Sequence, residues 1–406
     1  MKSKKKKWIR FRHRIVTFLA YWAIMPYCRI KYGIKPERFR KKGDKRAYLI
    51  LLNHQTPFDQ FFVGISFFQD PVYYLATEDI FSLGWVSKLI RWIVAPIPIK
   101  KQTTDAAAVM TLLRVAREGG SIAIAPEGNR TYSGKTEYMS PTIAGLARKM
   151  KLPIALYRIE GGYGVQPRWS DGTRKGKMRA YVSEVIEPEE YQNLTNDELF
   201  ERIEKGLYIN EAVSDSHFFS EKRAEYLERA IYVCPYCGLT KFESKGNETT
   251  CKSCGRKIHY TTDKQLQGVG FDFPFRFVND WYEYQKDYVN SLELESWLEK
   301  PMFQDYAKLT QVIVYQKKVP LRSNAHICLY SDRVVIDEGT DSELLLPFSQ
   351  VTAVSVLGRN KLNIYIGDDV YQFKGDAHFN ALKYVNIFYR YKNISRGEPD
   401  GKFLGL

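Results

Sequence analysis

Acidic residues are almost absent from the first 46 positions of this 406-residue chain. The whole chain has 61 Lys and Arg and 46 Asp and Glu; the first 46 residues hold 17 of the basic residues but only two acidic ones, Glu37 and Asp44. The remainder is balanced at 44 of each, so the net charge of +15 belongs to the N-terminal segment. A nucleic-acid-binding protein is expected to carry a basic face on its folded domain. The distribution argues against nucleic acid as a partner and favours attachment to an anionic surface.

The basic N-terminal residues are not followed by an apolar run long enough to span a membrane. The uncharged run Ile15–Cys28 has 14 residues, whereas a spanning helix needs about 20. Its rings, including Tyr21 and Trp22, suit the headgroup region of a bilayer. We predict that residues 1–46 form a monotopic anchor on anionic phospholipid at the cytoplasmic face of the cell membrane. A tilted spanning helix and a cleaved signal peptide remain alternatives, although no small-residue cleavage site follows the run.

Strands and helices alternate through the next part of the chain. The continuous apolar run Ala47–Leu52 predicts a strand buried on both faces. Thr56-Pro57 predicts a helix with Thr56 as its cap and proline at its first position. Further strands are predicted at 72–76, 121–125 and 152–159, with helices between them. This alternation indicates an α/β domain over residues 47–230, with a sheet flanked by helices.

The pattern changes near residue 231. A segment with four cysteines covers 231–260, and an aromatic, partly helical linker is predicted over 261–309. Residues 310–395 contain seven short strand-like runs, the first at Gln311–Tyr315, followed by a helix. The sequence therefore predicts a small cysteine-bearing unit and an all-β C-terminal domain after the α/β domain.

A histidine and an aspartate follow the first predicted strand, in the segment Asn53-His54-Gln55-Thr56-Pro57-Phe58-Asp59. Asp59, in the first turn of the next helix, can reach back to one ring nitrogen of His54. That bond sets the tautomer and leaves the other nitrogen as a base. An isolated pair of this spacing is also explained by a helix cap beside a loop histidine.

A second polar segment, Pro126-Glu127-Gly128-Asn129-Arg130, follows another predicted strand. Gly128 allows a ligand to approach the backbone, and Arg130 offers a planar fork to phosphate oxygens. Glu127 can orient Arg130 or bind a hydroxyl group. Taken alone, the segment is also compatible with an ordinary polar turn. Both segments follow strand ends, where open α/β sheets place their sites.

Together these segments resemble the glycerolipid acyltransferases, specifically the 1-acylglycerol-3-phosphate acyltransferases. Four blocks of that family occur in order within residues 47–190, and they are Asn53, His54 and Asp59; Ile97-Pro98-Ile99-Lys100; Pro126-Glu127-Gly128-Asn129-Arg130; and Leu152-Pro153-Ile154. The sequence departs from the family at Lys100, where arginine is common, and at Asn129, where threonine is usual.

The resemblance implies transfer of a fatty acyl chain from acyl-CoA or acyl carrier protein to the sn-2 hydroxyl of lysophosphatidic acid, giving phosphatidic acid. His54, oriented by Asp59, would remove the hydroxyl proton, while Arg130 and Lys100 hold the phosphate, with Glu127 and Gly128 in the substrate site. The sequence has no G-x-S-x-G elbow, so no covalent acyl-enzyme is expected.

Other acceptors and another class of function are also compatible with the sequence. Glycerol 3-phosphate or another lysophospholipid is an alternative acceptor. A non-enzymatic membrane-surface adaptor is a different class of function, against which the two complete polar segments argue. Arg168, in a loop that resembles one in some bacterial members, is a further candidate at the mouth of the site.

The cysteines form a CxxC-x13-CxxC pattern made by Cys234, Cys237, Cys251 and Cys254. Two such pairs supply four thiolates for tetrahedral zinc, so we predict a structural zinc ribbon without an open catalytic position. Redox-active pairs or disulfides are the alternative. Free thiolates indicate a reducing, cytosolic environment. Residues 310–395 resemble a pleckstrin-homology or GRAM-like β domain, and a purely structural β-barrel is equally compatible.

Overall fold

The computed structural model describes residues 7–39, 45–68, 70–99, 106–213, 215–313, 318–398, 401 and 403. Lys100, predicted to bind substrate, lies outside these residues. The first half forms, in order, α1 (Phe11–Tyr32), β1 (Leu49–Leu52), α2 (Asp59–Ser66), β2 (Val72–Thr77), α3 (Glu78–Phe81), α4 (Trp85–Val94), β3 (Ile97–Ile99), α5 (Ala106–Arg117), β4 (Ser121–Ile124), α6 (Thr142–Met150), β5 (Ile154–Glu160), α7 (Gly162–Val165), β6 (Arg179–Ile186), α8 (Pro188–Gln192) and α9 (Asn196–Leu207).

The second half begins with two short 3-10 helices, Glu211–Val213 and Leu227–Arg229, and has a third at Leu294–Trp297. Its other elements are β7 (Val233–Cys234), β8 (Gly238–Leu239), β9 (Phe242–Lys245), β10 (Glu248–Cys251), β11 (Lys257–Tyr260), β12 (Leu266–Gly268), α10 (Val278–Asn290), β13 (Phe303–Gln311), β14 (Val319–Leu329), β15 (Arg333–Ile336), β16 (Leu344–Pro347), β17 (Val351–Leu357), β18 (Lys361–Ile366), β19 (Asp369–Gly375) and α11 (Leu382–Ser395).

The first half is built on a six-stranded sheet with the order β3-β2-β4-β1-β5-β6. Strands β1 to β5 run parallel to their neighbours, and β6 pairs antiparallel with β5 at the edge. This arrangement confirms the predicted α/β sheet. Since β1 and β4 are parallel neighbours, the segments that follow their carboxyl ends meet at one edge of the sheet.

Strand β1 is buried on both faces, as its continuous apolar sequence predicted. Leu49 and Leu51 pack on the side of the sheet that carries α5, α6 and α9. Ile50 and Leu52 pack on the other side, with residues of α1 and α2. Helices on both faces exclude water from the middle of the sheet. Strand β1 is therefore buried, and only the loop that follows it can reach solvent.

Helix α1 covers the sheet with one side and exposes large apolar residues on the other. Tyr21, Cys28 and Tyr32 are buried against the sheet. The helix ends at Gly33, whose φ of +63° lets its N–H bond the Arg29 carbonyl. Within the described residues, no helix has the length and apolar character needed to cross a membrane.

The C-terminal sheet has seven antiparallel strands in the order β16-β15-β14-β13-β19-β18-β17, followed by α11. Its first strand begins at Phe303, eight residues before the predicted Gln311–Tyr315 run, whose last two residues lie outside the described part of the chain. The buried positions Phe303, Ala307 and Leu309 lie on one side of β13, but the polar residues between them hide the strand from a search for continuous apolar runs.

The two halves share one hydrophobic core. Tyr132 and Trp169, from the first half, belong to the same buried cluster as Trp281 of α10 and Phe388 of α11. Trp169 also meets the Tyr260 ring edge-on at 5.8 Å. The second half is therefore packed against the loops that follow β4 and β5.

Candidate active site at the ends of strands β1 and β4

His54 and Asp59 form a hydrogen-bonded pair directly beyond β1. His54 Nδ1 lies 2.8 Å from Asp59 Oδ2, and since a carboxylate can only accept, Nδ1 carries the donated proton. The Asp59 side chain is 1% exposed, whereas the His54 side chain is 27% exposed. The carboxylate is thus enclosed by protein, and the imidazole it orients reaches solvent.

Asp59 is held in place by the chain that precedes it. Its carboxylate accepts the Gln55 N–H at 2.7 Å, the Thr56 N–H at 3.0 Å and the Thr56 hydroxyl at 2.6 Å. This folding back explains why α2 begins at Asp59 and not at the predicted Pro57. A carboxylate with so many donors cannot turn away from the imidazole without losing several bonds.

Asn53, which precedes His54, anchors the end of β1 to β5. Its side-chain amide donates to the Ile159 carbonyl and its oxygen accepts the Ile159 N–H, each at 2.8 Å. The sequence alone assigns no role to Asn53 in the first block. The structure shows that it fixes the backbone from which His54 projects.

Glu127 joins the β4 loop to the β1 loop. One carboxyl oxygen accepts the His54 N–H and the other accepts the Glu137 N–H, each at 3.0 Å. Burial raises the pKa of Glu127 to about 8, more than its two backbone donors lower it. Neither bond goes to Arg130, so the observed role of Glu127 is to position the His54 backbone.

Gly128 and Thr131 complete the connection between the loops. Gly128 has φ +70° and no atom within 4 Å of where a Cβ would lie, so glycine is favoured by its backbone conformation. The Thr131 N–H bonds the His54 carbonyl at 3.3 Å. Both backbone polar groups of His54 are thereby tied to the loop that carries Arg130.

Arg130 is buried, and one of its N–H donors has no hydrogen-bond partner among the described residues. It is 9% exposed, and its Nη1 has no hydrogen-bond partner within the described part of the chain. Burial, followed by the charge of Arg168, lowers the pKa of Arg130 to about 10. A guanidinium in this state is charged at neutral pH and suited to an incoming anion.

Arg168 lies behind Arg130. Its Nη1 donates to the Arg130 carbonyl at 2.9 Å, and its guanidinium stacks over the Tyr132 ring at 4.3 Å from the centroid. It is 2% exposed. The resemblance of its loop made Arg168 a candidate at the mouth of the site; in the structure its side chain is buried and bonds the backbone of the Arg130 loop.

The second and fourth blocks of the resemblance contribute to strands of the same sheet. Ile97–Ile99 forms the edge strand β3 and Ile154 begins β5. The structure brings His54, Asp59, Glu127, Gly128 and Arg130 together through direct contacts of their two loops. The position of Lys100 is not described.

The four predicted cysteines form a cluster outside this site. Their sulfur atoms all lie within 4.8 Å of one another; Cys234 and Cys254 are 4.0 Å apart, and Cys237 and Cys251 are 3.9 Å apart. All four are free thiols. Four sulfur donors at these separations fit a tetrahedral ion such as Zn²⁺.

The chain is similar to known proteins over less than half of its length. Residues 34–159 match the family model described as Acyltransferase. The 1-acyl-sn-glycerol-3-phosphate acyltransferase of Bacillus subtilis (strain 168) is 20% identical over 170 residues, which cover 42% of this chain and 81% of that protein. The crystal structure of the 1-acyl-sn-glycerophosphate (LPA) acyltransferase from Thermotoga maritima is 16% identical, with 48% of this chain and 93% of that chain covered and a TM-score of 0.36. The resemblance seen in the four sequence blocks is confirmed: residues 34–159 match the acyltransferase model, and over less than half of its length the chain is similar to a 1-acyl-sn-glycerol-3-phosphate acyltransferase.

Proposed function

We propose that this protein is a 1-acylglycerol-3-phosphate O-acyltransferase that uses His54 as its general base. The observation that carries the proposal is the pair formed by His54 Nδ1 and Asp59 Oδ2, on a loop bonded through Glu127 and Thr131 to the loop of Arg130. His54 and Arg130 lie on connected loops at the same edge of one sheet, which supports the proposed roles of base and anion-binding group.

The reaction follows from the tautomer that Asp59 fixes. With the proton on Nδ1, the lone pair of Nε2 accepts the proton of the sn-2 hydroxyl as that oxygen attacks the thioester carbonyl. The resulting tetrahedral centre collapses, the carbon–sulfur bond breaks, and the thiolate takes the proton from Nε2. The ester and a free thiol are formed, and the imidazole returns to its starting state.

Arg130 would bind the phosphate of the acceptor. Its open Nη1 is the donor available for a phosphate oxygen, and its charge is retained at neutral pH. Holding the phosphate fixes the position of the hydroxyl relative to His54, and positioning of this kind contributes more to the rate than the base alone. Acyl-CoA and acyl carrier protein both remain possible donors in this scheme.

An exposed apolar surface made by α1 and α4 supports attachment to a membrane. Arg12 bonds the Trp92 carbonyl at 2.7 Å, which holds the two helices side by side. The exposed apolar residues of the pair are Phe11, Ile15, Phe18, Leu19, Trp22, Tyr27, Ile30, Trp85, Leu89, Trp92 and Val94. Together with the basic residues of the N-terminal segment, they fit an interfacial anchor on anionic lipid at the cytoplasmic face of the membrane.

The second half is proposed to contain a zinc ribbon and a pleckstrin-homology-like domain. The thiol cluster supports the first assignment, and a seven-stranded antiparallel sheet followed by a helix supports the second. Zinc would act there as a structural ion, since the four thiolates leave no position for a substrate.

Acyl transfer by the purified full-length protein on anionic phospholipid vesicles tests the proposal. The acceptors are lysophosphatidic acid, glycerol 3-phosphate and lysophosphatidylcholine, each with acyl-CoA and with acyl carrier protein thioester. Turnover of lysophosphatidic acid is expected. Turnover of glycerol 3-phosphate or lysophosphatidylcholine alone would replace the acceptor, and no turnover with any pair would favour the membrane adaptor.

A further inference from the structure

The C-terminal sheet is bonded to the Arg130 loop. Arg168 Nη1 donates to the Arg130 carbonyl at 2.9 Å, and Nη2 of the same guanidinium donates to the carbonyl of Val356 in β17 at 3.2 Å. Arg168 is buried, so these bonds are shielded from water. One side chain thus links the anion-binding loop to a strand of the second half.

Three residues after Val356, Arg359 lies in the turn between β17 and β18. Its Nη1 donates to Asp171 Oδ1 at 2.9 Å, and Arg229 donates to the same oxygen at 2.6 Å. Two guanidinium groups therefore share one carboxylate, which leaves a net positive charge. The Arg359 side chain is 33% exposed, so it remains accessible to a ligand.

The positive charges in this region are not balanced by Glu127. Burial, followed by the charge of Arg168, lowers the pKa of Arg130; the Asp59 carboxylate raises it, and the charge of Arg359 lowers it further. With a pKa of about 8, Glu127 is mostly protonated at pH 7. Like charges held together raise the free energy of the empty site, and an anion with more than one charge relieves that repulsion.

We propose that the β17–β18 turn completes the acceptor-phosphate site, with Arg359 supplying positive charge beside Arg130 and Arg168. The proposal rests on the proposed function and makes Arg359 a specificity-determining residue from outside the acyltransferase domain. It favours the dianionic phosphate monoester of lysophosphatidic acid over a phosphodiester with one negative charge, because the added cation attracts the second charge.

Kinetics and direct binding of Arg359→Ala test the proposal. In the full-length protein we expect the KM for lysophosphatidic acid, and the Kd for a soluble short-chain lysophosphatidic acid, to rise about tenfold. The kcat is expected to change by less than about twofold, since the general base is untouched. Arg359→Lys should recover most of the affinity, and 0.5 M salt should shrink the difference by screening the charge.

Arg396→Ala is the matched control, because it removes an exposed arginine from the C-terminal end of α11. Lys392, one turn earlier, bonds the Thr352 carbonyl near the opposite end of β17 from Arg359. If Arg359→Ala does not fold, Arg359→Gln carries the same expectation.

The outcomes separate this proposal from the proposed function. Active wild-type protein with equal KM and Kd for Arg359→Ala and Arg396→Ala overturns only the role of Arg359. Wild-type protein that binds lysophosphatidic acid through Arg359 but transfers no acyl group overturns only the function. Absence of both binding and transfer overturns both.

Discussion

The two large sheets of this protein treat their polar side chains differently. Beyond β1 and β4 of the first sheet, two loops carry the polar residues of the candidate site, and Arg130 Nη1 has no hydrogen-bond partner within the described residues. In the antiparallel sheet, Gln372 of β19 donates to Asn363 of β18 at 2.9 Å, although Ser355 Oγ of β17 also has no partner among the described residues. Buried polar groups are normally satisfied, and Arg130 differs from Ser355 because it carries a charge at the carboxyl edge of a mainly parallel sheet. The comparison predicts that the groups which act on the reacting atoms belong to the first half, while the second half stabilises the site and adds charge to it.

Replacing His54 by alanine tests most directly whether the general base belongs to the first half. We expect kcat to fall about 10³-fold, because general-base action is lost while both loops keep their remaining contacts. Acyl-transfer rates measured on vesicles check this, with vesicle binding retained. His217→Ala is the control, since His217 is exposed and bonds Thr262 in the second half. Substantial activity in His54→Ala would remove His54 from the mechanism.

Arg130→Ala tests the other polar group of the first half. The KM for lysophosphatidic acid is expected to rise about 10- to 100-fold, because a charge-assisted bond to phosphate is lost. Initial rates at varied acceptor concentration give the result. Arg117→Ala, an exposed arginine on α5, controls for loss of charge. An unchanged KM would contradict the phosphate role.

The cysteine cluster allows a test of the structural role proposed for the second half. Cys237→Ser removes one of four sulfur donors, and we expect zinc to fall from about one ion per chain to near zero, with a lower Tm. Elemental analysis and thermal unfolding measure both effects. Cys328→Ala removes a buried thiol outside the cluster and should leave zinc bound. Wild-type protein purified without zinc would exclude the zinc ribbon.

The exposed face of α1 and α4 provides a smaller test. Trp22→Ser or Trp85→Ser should each weaken binding to anionic vesicles about tenfold, since one large ring no longer leaves water on binding. Vesicle sedimentation measures the change. Phe219→Ser removes an exposed ring elsewhere and serves as the control. Equal binding by all these variants would rule out this face as the anchor.

The smallest expected effect is the pH dependence caused by Glu127. Its folded-state pKa of about 8 lies above the usual carboxyl value, so its contribution to stability is full at low pH and is lost as pH rises through about 8. Glu127→Gln cannot ionise, so its Tm should rise relative to wild type by a few degrees between pH 5 and pH 9, because only the wild type loses stability over that range. A constant Tm difference would show that Glu127 keeps an ordinary pKa.

Much of the first half could be predicted because local patterns determine it. The apolar run of β1 predicted a strand buried on both faces, and Thr195 with Glu198 forms a capping box at the start of α9, which is a pattern of four consecutive residues. The His54–Asp59 contact was also predictable, since a residue in the first helical turn can reach the residue before the helix. Each of these depends on spacing within one short segment.

The remaining features depend on contacts between distant segments. Nothing in the sequence near Glu127 indicates that its oxygens accept the His54 and Glu137 N–H groups. The bond from Arg168 to Val356 joins residues 188 positions apart. The sequence predicts the first strand of the C-terminal sheet too late in the chain. Polar residues alternate with the buried ones in β13, so the strand has no continuous apolar run, and its buried side is defined only by pairing with β14. Long-range packing decides such features, and local propensity carries little information about it.

The core shared by the two halves has a consequence for synthesis on the ribosome. The first half emerges first, yet Trp169 and Tyr132 belong to a buried cluster whose other members all lie between residues 224 and 403, including residues of α10 and α11. Until those helices have been translated, this cluster is incomplete and leaves apolar surface uncovered, a state prone to self-association. The nascent enzyme is therefore expected to become active only when nearly the whole chain has left the exit tunnel.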